Sequence, residues 1–163
     1  MITIGDYPDI AKKLEEFDLT YPKTLAILPL NLNSATSKKD LFNSETTSTV
    51  RVLWKKAGVV ETPIEGKNKI PELLQQSFEW IGPTIFFAST LITGHPELID
   101  LAVRVISDYL TVLFKGIPKE EKKAKLDIVA ETKNGSFKDI HYEGDIEGLK
   151  ELPKVIRSLD DER

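Results

Sequence analysis

The chain contains no cysteine, which removes disulfides, thiolate nucleophiles and thiolate-ligated zinc together. Histidine is almost as scarce. With only His95 and His141 present, any imidazole-based proton transfer or metal binding must use one of those two positions. Signature motifs are missing as well. No Gly-x-Gly-x-x-Gly, no P-loop, no Gly-x-Ser-x-Gly elbow and no His-Glu-x-x-His occurs, so the sequence implies no cofactor and argues against an enzyme. Positive charge is also in deficit, with 22 Lys and Arg against 26 Asp and Glu and a net charge of −4. That balance gives no bulk field for nucleic acid.

Long uninterrupted apolar runs are lacking too. Residues 81–114 come nearest, but a spanning helix needs about 20 consecutive apolar residues. Gly94-His95-Pro96 breaks the stretch, and Asp100, Arg104 and Asp108 interrupt its second half, each costing about 2.5–3.5 kcal/mol at a bilayer centre. No membrane span is expected. The start, Met1 to Pro8, lacks a basic segment followed by an apolar one, and the expected compartment is the cytoplasm.

What is present is enough to fold. At 163 residues and 40% hydrophobic, residues 1–163 read as a single globular domain with a real core. The pattern predicts an α+β fold. An N-terminal strand–helix–strand element comes first, from an apolar run over Lys23–Leu30, a helix from about Thr46 to Gly58 and a short strand at Val59–Thr62, with parallel strands in a βαβ unit. Asp9 caps a short preceding helix whose Ile10, Leu14 and Phe17 share one face. Pro71 opens a further helix. Two central hydrophobic helices follow, at about 84–93 and 97–114. In the second, the polar residues occupy an arc of only about 100°, and Arg104 is spaced to pair with Asp100 and Asp108 one turn to either side.

The C-terminal part reads as a β-hairpin, about 125–132 and 136–143, followed by a helix. A two-residue Asn-Gly turn would set Ile128 opposite His141 and mix polarity on both faces. A three-residue loop with Gly135 left-handed pairs Leu126 with Tyr142, Ile128 with Ile140 and Ala130 with Lys138, making one face apolar. The second alternative is the prediction. Asp145 caps the last helix, which at Pro153 either kinks or restarts.

Three sets of residues are candidates for function. On the polar hairpin face, Asp127, Asp139, His141 and Glu143 project together, and carboxylates around an imidazole can bind a divalent metal or tune a base; a plain solvent-facing strand shows the same alternation. In the polar loop after the first strand, Asn33, Ser34, Thr36, Ser37, Lys38 and Lys39 could hydrogen-bond a phosphate or sugar, because open sheets place ligands beyond strand ends. At the end of the second central helix, Tyr109, Leu110, Val112, Leu113 and Phe114 cover too much of the circumference for one contact face. They are expected to meet a protein partner or a second copy. The expected function is therefore a non-catalytic protein–protein interaction or regulatory module, self-associating or a subunit of a larger assembly. The alternative is a small-ligand-binding domain or small enzyme using the 31–39 loop or the Asp139/His141/Glu143 face.

Overall fold

A computed structural model describes residues 1–66, 69–74 and 79–159. Alternation governs the C-terminal strands. β6 (Ala124–Glu131) and β7 (Phe137–Gly144) pair antiparallel with Leu126 opposite Tyr142, Ile128 opposite Ile140 and Ala130 opposite Lys138. This is the register of the three-residue loop. Gly135 sits at φ +84°, a conformation that a Cβ would strain, and Thr132 N–H donates to the Ser136 carbonyl at 2.8 Å to close the turn.

The fold class is α+β, but the first central helix is corrected. Trp80–Phe87 is a strand, β5, and only Ser89–Gly94 is helical, as α3. β5 lies between β6 and β2 (Leu25–Leu28) and is buried on both faces, with Ile85 and Phe87 in one core cluster and Phe86 in the other. A strand covered on both sides shows no alternation, so its apolar run reads like a buried helix. A register shift between Ile81 and Thr84 accommodates Gly82-Pro83.

Five strands form the main sheet in the order β1-β7-β6-β5-β2, where β1 is Ile2–Tyr7. Only β5 and β6 run parallel; β1 with β7, and β2 with β5, are antiparallel. A parallel pair needs a long crossover, and α3 with α4 (Pro96–Leu113) provides it. The βαβ unit expected over residues 23–62 does not form. Val59–Thr62 is not a strand; it runs beside β2, where Thr62 N–H donates to the Leu25 carbonyl at 2.7 Å. The helix expected from Pro71 is likewise corrected at its start. Glu72–Leu73 is β4, paired in parallel with β3 (Asn43–Ser44), while residues 75–78 lie outside the described ones.

Local signals hold at the remaining helices. Asp9 accepts from Lys12 N–H at the start of α1 (Ile10–Glu16), and Gly58 at φ +81° ends α2 (Thr47–Ala57). Asp145 caps α5 (Ile146–Leu149), and the chain then restarts as α6 (Leu152–Leu159), with Pro153 in its first turn.

One sheet face carries α2 to α6, with α4 at the centre of the helical layer, in contact with each of the other four. Ile99, Ala102, Val103, Ile106 and Leu110 of α4 are fully buried, each large side chain contributing about 1.5–3 kcal/mol. Trp54 of α2 closes one flank, its indole N–H donating to the Ala102 carbonyl at 3.1 Å. The expected pairing of Arg104 with Asp100 is replaced. Asp100 accepts from Arg157 of α6 at 2.6 Å, because that helix crosses within reach. On the other sheet face α1, residues 17–19 and 32–41, Ile64 and Ile70 pack over β2, β5, Val129 and Phe137.

Candidate functional site

Beyond that cover, the second sheet face is polar. Alternation turns Lys125, Asp127 and Val129 of β6 to this side, with Asp139, His141 and Glu143 of β7 and Thr3, Gly5 and Tyr7 of β1. His141 stands at its middle. Its Nδ1 lies 2.8 Å from Asp127 Oδ1, across the strand pair, and its Nε2 lies 2.9 Å from Glu143 Oε1. Burial disfavours the charged ring, yet the hydrogen bonds it donates to Glu143 and Asp127, with their charges, outweigh it and hold the imidazole above its usual range. Reciprocally, the bond from His141 lowers the Glu143 carboxyl. Lys125 completes the row, 3.2 Å from Glu79 and 3.8 Å from Glu143.

Asp139 sits two residues along from His141 and is half-buried. Its pKa is raised by burial first and by the neighbouring Asp127 charge second, with His141 opposing both. Gly5 pairs with Asp139 on β1, and the space above that glycine is open. On the covered side stands Tyr7, whose phenol is raised by burial and by the charges of Asp139 and Asp127, with Asn33 as a hydrogen-bond partner. Sequence reasoning missed Tyr7, because its strand is exposed along most of its length and shows only a weak Ile-Thr-Ile alternation.

The metal expectation on Asp127, Asp139, His141 and Glu143 is not supported by this geometry. Both ring nitrogens of His141 are engaged by carboxylates, and among the described residues no three His, Asp or Glu side chains are disposed to hold an ion. A ring so held is an ion-pairing bridge between β6 and β7 rather than a free base.

In the loop, the polar groups largely bind one another. Ser37 Oγ donates to Asp40 Oδ2 at 2.8 Å and Thr36 Oγ1 to the same oxygen at 3.4 Å, while Ser34 Oγ donates to the Asn31 carbonyl. Asn31 itself bonds Asp40 and Phe42 backbone groups. A carboxylate at the centre of this hydroxyl cluster repels a phosphate. Lys38 and Lys39 fall in a 3-10 turn just before Asp40. Of the six loop candidates, Asn33 alone is brought to the sheet face, through Tyr7.

The helix-end candidates divide. Leu110 and Phe114 are core residues at 0% and 5% exposure, and Tyr109 is half-buried, because the sheet and neighbouring helices reach them. Val112 at 74% and Leu113 at 44% remain bare, with Ile117 at 36% beside them. An open groove of about 610 Å³ follows the helix end, lined by Phe114, Gly116, Ile117 and Pro118 with Glu79, Glu120, Glu121 and Lys123; Val112 and Leu113 are not part of its lining. Among the described residues no helix is long and apolar enough to cross a membrane. No protein-family model matches the chain, and no curated protein or solved structure is significantly similar to it.

Proposed function

We propose that this chain is a non-catalytic protein–protein interaction module, acting in the cytoplasm as a subunit of a larger assembly. The observation that carries the reading is the bare apolar end of α4. The fold buries the apolar face of that helix as far as Leu110 and leaves Val112 and Leu113 in solvent, and a groove lined by Phe114, Ile117 and Pro118 follows directly in the chain. Such a patch is costly to leave exposed and suits a partner's side chain. The groove is also lined by Glu79, Glu120 and Glu121 against Lys123, so the fitting occupant is an amphipathic partner segment whose polar side is basic.

The test compares native-lysate capture by the wild type and by a Val112→Lys, Leu113→Lys variant, followed by rebinding of the purified captured protein. Expected is a stoichiometric partner that rebinds the wild type and is lost by the variant. Identical captured sets would overturn the reading.

A second reading rests on the convergence of Tyr7, Asn33, Asp127, Asp139 and His141, which joins two sequence candidates at one open surface. It makes the sheet face a site for a small cationic ligand. Amide chemical-shift changes confined to these residues on titration with small amines and guanidines support it; no shifts at millimolar ligand exclude it.

A further inference from the structure

We propose that β1 is the contact strand of a homodimer, pairing with β1 of a second copy about a two-fold axis at Ile4. This deepens the reading as an interaction module by adding a second surface and naming its partner.

The hydrogen-bond parity of β1 carries the argument. Met1 and Glu143 exchange both backbone bonds, at 2.6 and 3.0 Å. In an antiparallel ladder such pairs recur every second residue, so Thr3, Gly5 and Tyr7 also face β7 while Ile2, Ile4 and Asp6 turn their N–H and C=O groups outward. β1 is an outer strand of the sheet, so among the described residues these groups have no ladder partner. Proteins shield such edges with proline, lysine, bulges or covering loops. β1 has no proline or lysine and an unbroken register. The opposite edge, β2, is covered, since Thr62 bonds Leu25 and all four strand residues are buried.

The free groups are symmetric about Ile4, and this favours a second copy over an unrelated strand. A two-fold antiparallel pairing sets Ile4 against Ile4 of the second copy and Ile2 against its Asp6. All three outward N–H groups of each copy then find carbonyls. Ile4, 48% exposed, gains an apolar neighbour. The charges are also compatible. The two Asp6 carboxylates stand four residues apart along the strands, about 13 Å, and each is paired within its own chain to Lys138 at 2.5 Å. The five-stranded sheet becomes a continuous one of ten strands, and the α4 patch is left free.

Because the chain has no cysteine, an Ile4→Cys variant carries a single thiol. The proposed register places those two Cα atoms about 5.5 Å apart, within disulfide range, whereas Asp6→Cys thiols are too distant. Under mild oxidation Ile4→Cys is expected to form a covalent dimer of twice 18.3 kDa at least about tenfold faster than Asp6→Cys. Equal rates, or faster linkage through position 6, overturn the register. Sedimentation velocity then separates this inference from the α4 reading. Ile4→Pro removes an outward N–H that an edge strand can lose without breaking its own ladder; it should weaken dimerisation at least about tenfold with unchanged circular dichroism. Val112→Lys, Leu113→Lys should leave the dimer intact. A wild type that stays at 18.3 kDa at all concentrations, or a dimer lost through the α4 variant and kept by Ile4→Pro, overturns the β1 dimer and leaves the partner-binding reading standing.

Discussion

Gly148→Ala tests the packing at the junction of β7 and α5, where simple helix propensity and the structure predict opposite signs. Alanine in a helix is normally favoured over glycine by about 1 kcal/mol. Here a Cβ on residue 148 would collide with Tyr142 Oη and lie 2.9 Å from Cε2 and Cζ. Tyr142 cannot move aside easily. Its ring is 1% exposed, its hydroxyl donates to the Asp145 carbonyl, and Gly144 closes on the same oxygen. Overpacking costs about 1–3 kcal/mol and the lost hydrogen bond about 1 kcal/mol. Set against the helix preference, the net destabilisation is about 1–3 kcal/mol. Urea unfolding followed by circular dichroism should show a lower midpoint with an unchanged slope. Gly94→Ala, at a helix position with open space around it, should be neutral or mildly stabilising. In a Tyr142→Phe background the Gly148→Ala penalty should shrink, because the closest clashing atom is gone. A Gly148→Ala protein as stable as the wild type refutes the reasoning.

Three further outcomes follow from the charged groups and the hairpin. The raised His141 pKa contributes stability that is complete below about 6.5 and is lost as pH rises through the folded value, while the lowered Glu143 pKa contributes above about 4.5 and is lost in acid; thermal midpoints should show this window, and His141→Asn should flatten its alkaline side. Asp139→Asn should stabilise the protein at neutral pH, since burial and Asp127 both disfavour the Asp139 carboxylate; a lower midpoint would contradict this. Arg51 bonds Glu61 at 2.7 Å and Glu65 at 2.5 Å, and the Glu65 side chain is 6% exposed, so Arg51→Met should cost about 3–5 kcal/mol by stranding that carboxylate and should speed proteolysis between residues 59 and 66.

The parts of the fold legible in the sequence are those fixed by short-range rules. Leu126, Ile128 and Ala130 alternate with polar residues and Lys133-Asn134-Gly135 limits the loop, so one register satisfies both faces. Asp9, Gly58, Asp145 and Pro153 act within one helical turn, and each falls where its chemistry places it. β5 was illegible for the opposite reason. Phe86 and Phe87 point to different cores, so the strand carries no period, and only its long-range pairing with β6 distinguishes it from a helix. β1 left little trace because its stability comes from β7, more than a hundred residues away in sequence. The site shows the same division: the His141 face followed from alternation, whereas the approach of Tyr7 and Asn33 depends on tertiary packing. For α4, its apolar circumference indicates several covering elements; most of that cover comes from its own chain, and the apolar residues left bare are Val112 and Leu113 of the last turn.

Amide hydrogen exchange of the full chain as a function of protein concentration tests the account of β1 as a self-pairing edge most directly. In the monomer the outward amides of Ile2, Ile4 and Asp6 face solvent, while those of Thr3 and Gly5 are held by β7. The account predicts protection at Ile2, Ile4 and Asp6 that rises with concentration, with Thr3 and Gly5 already protected in the dilute protein. Fast exchange at Ile4 at every concentration, or protection that appears without concentration dependence, would contradict it.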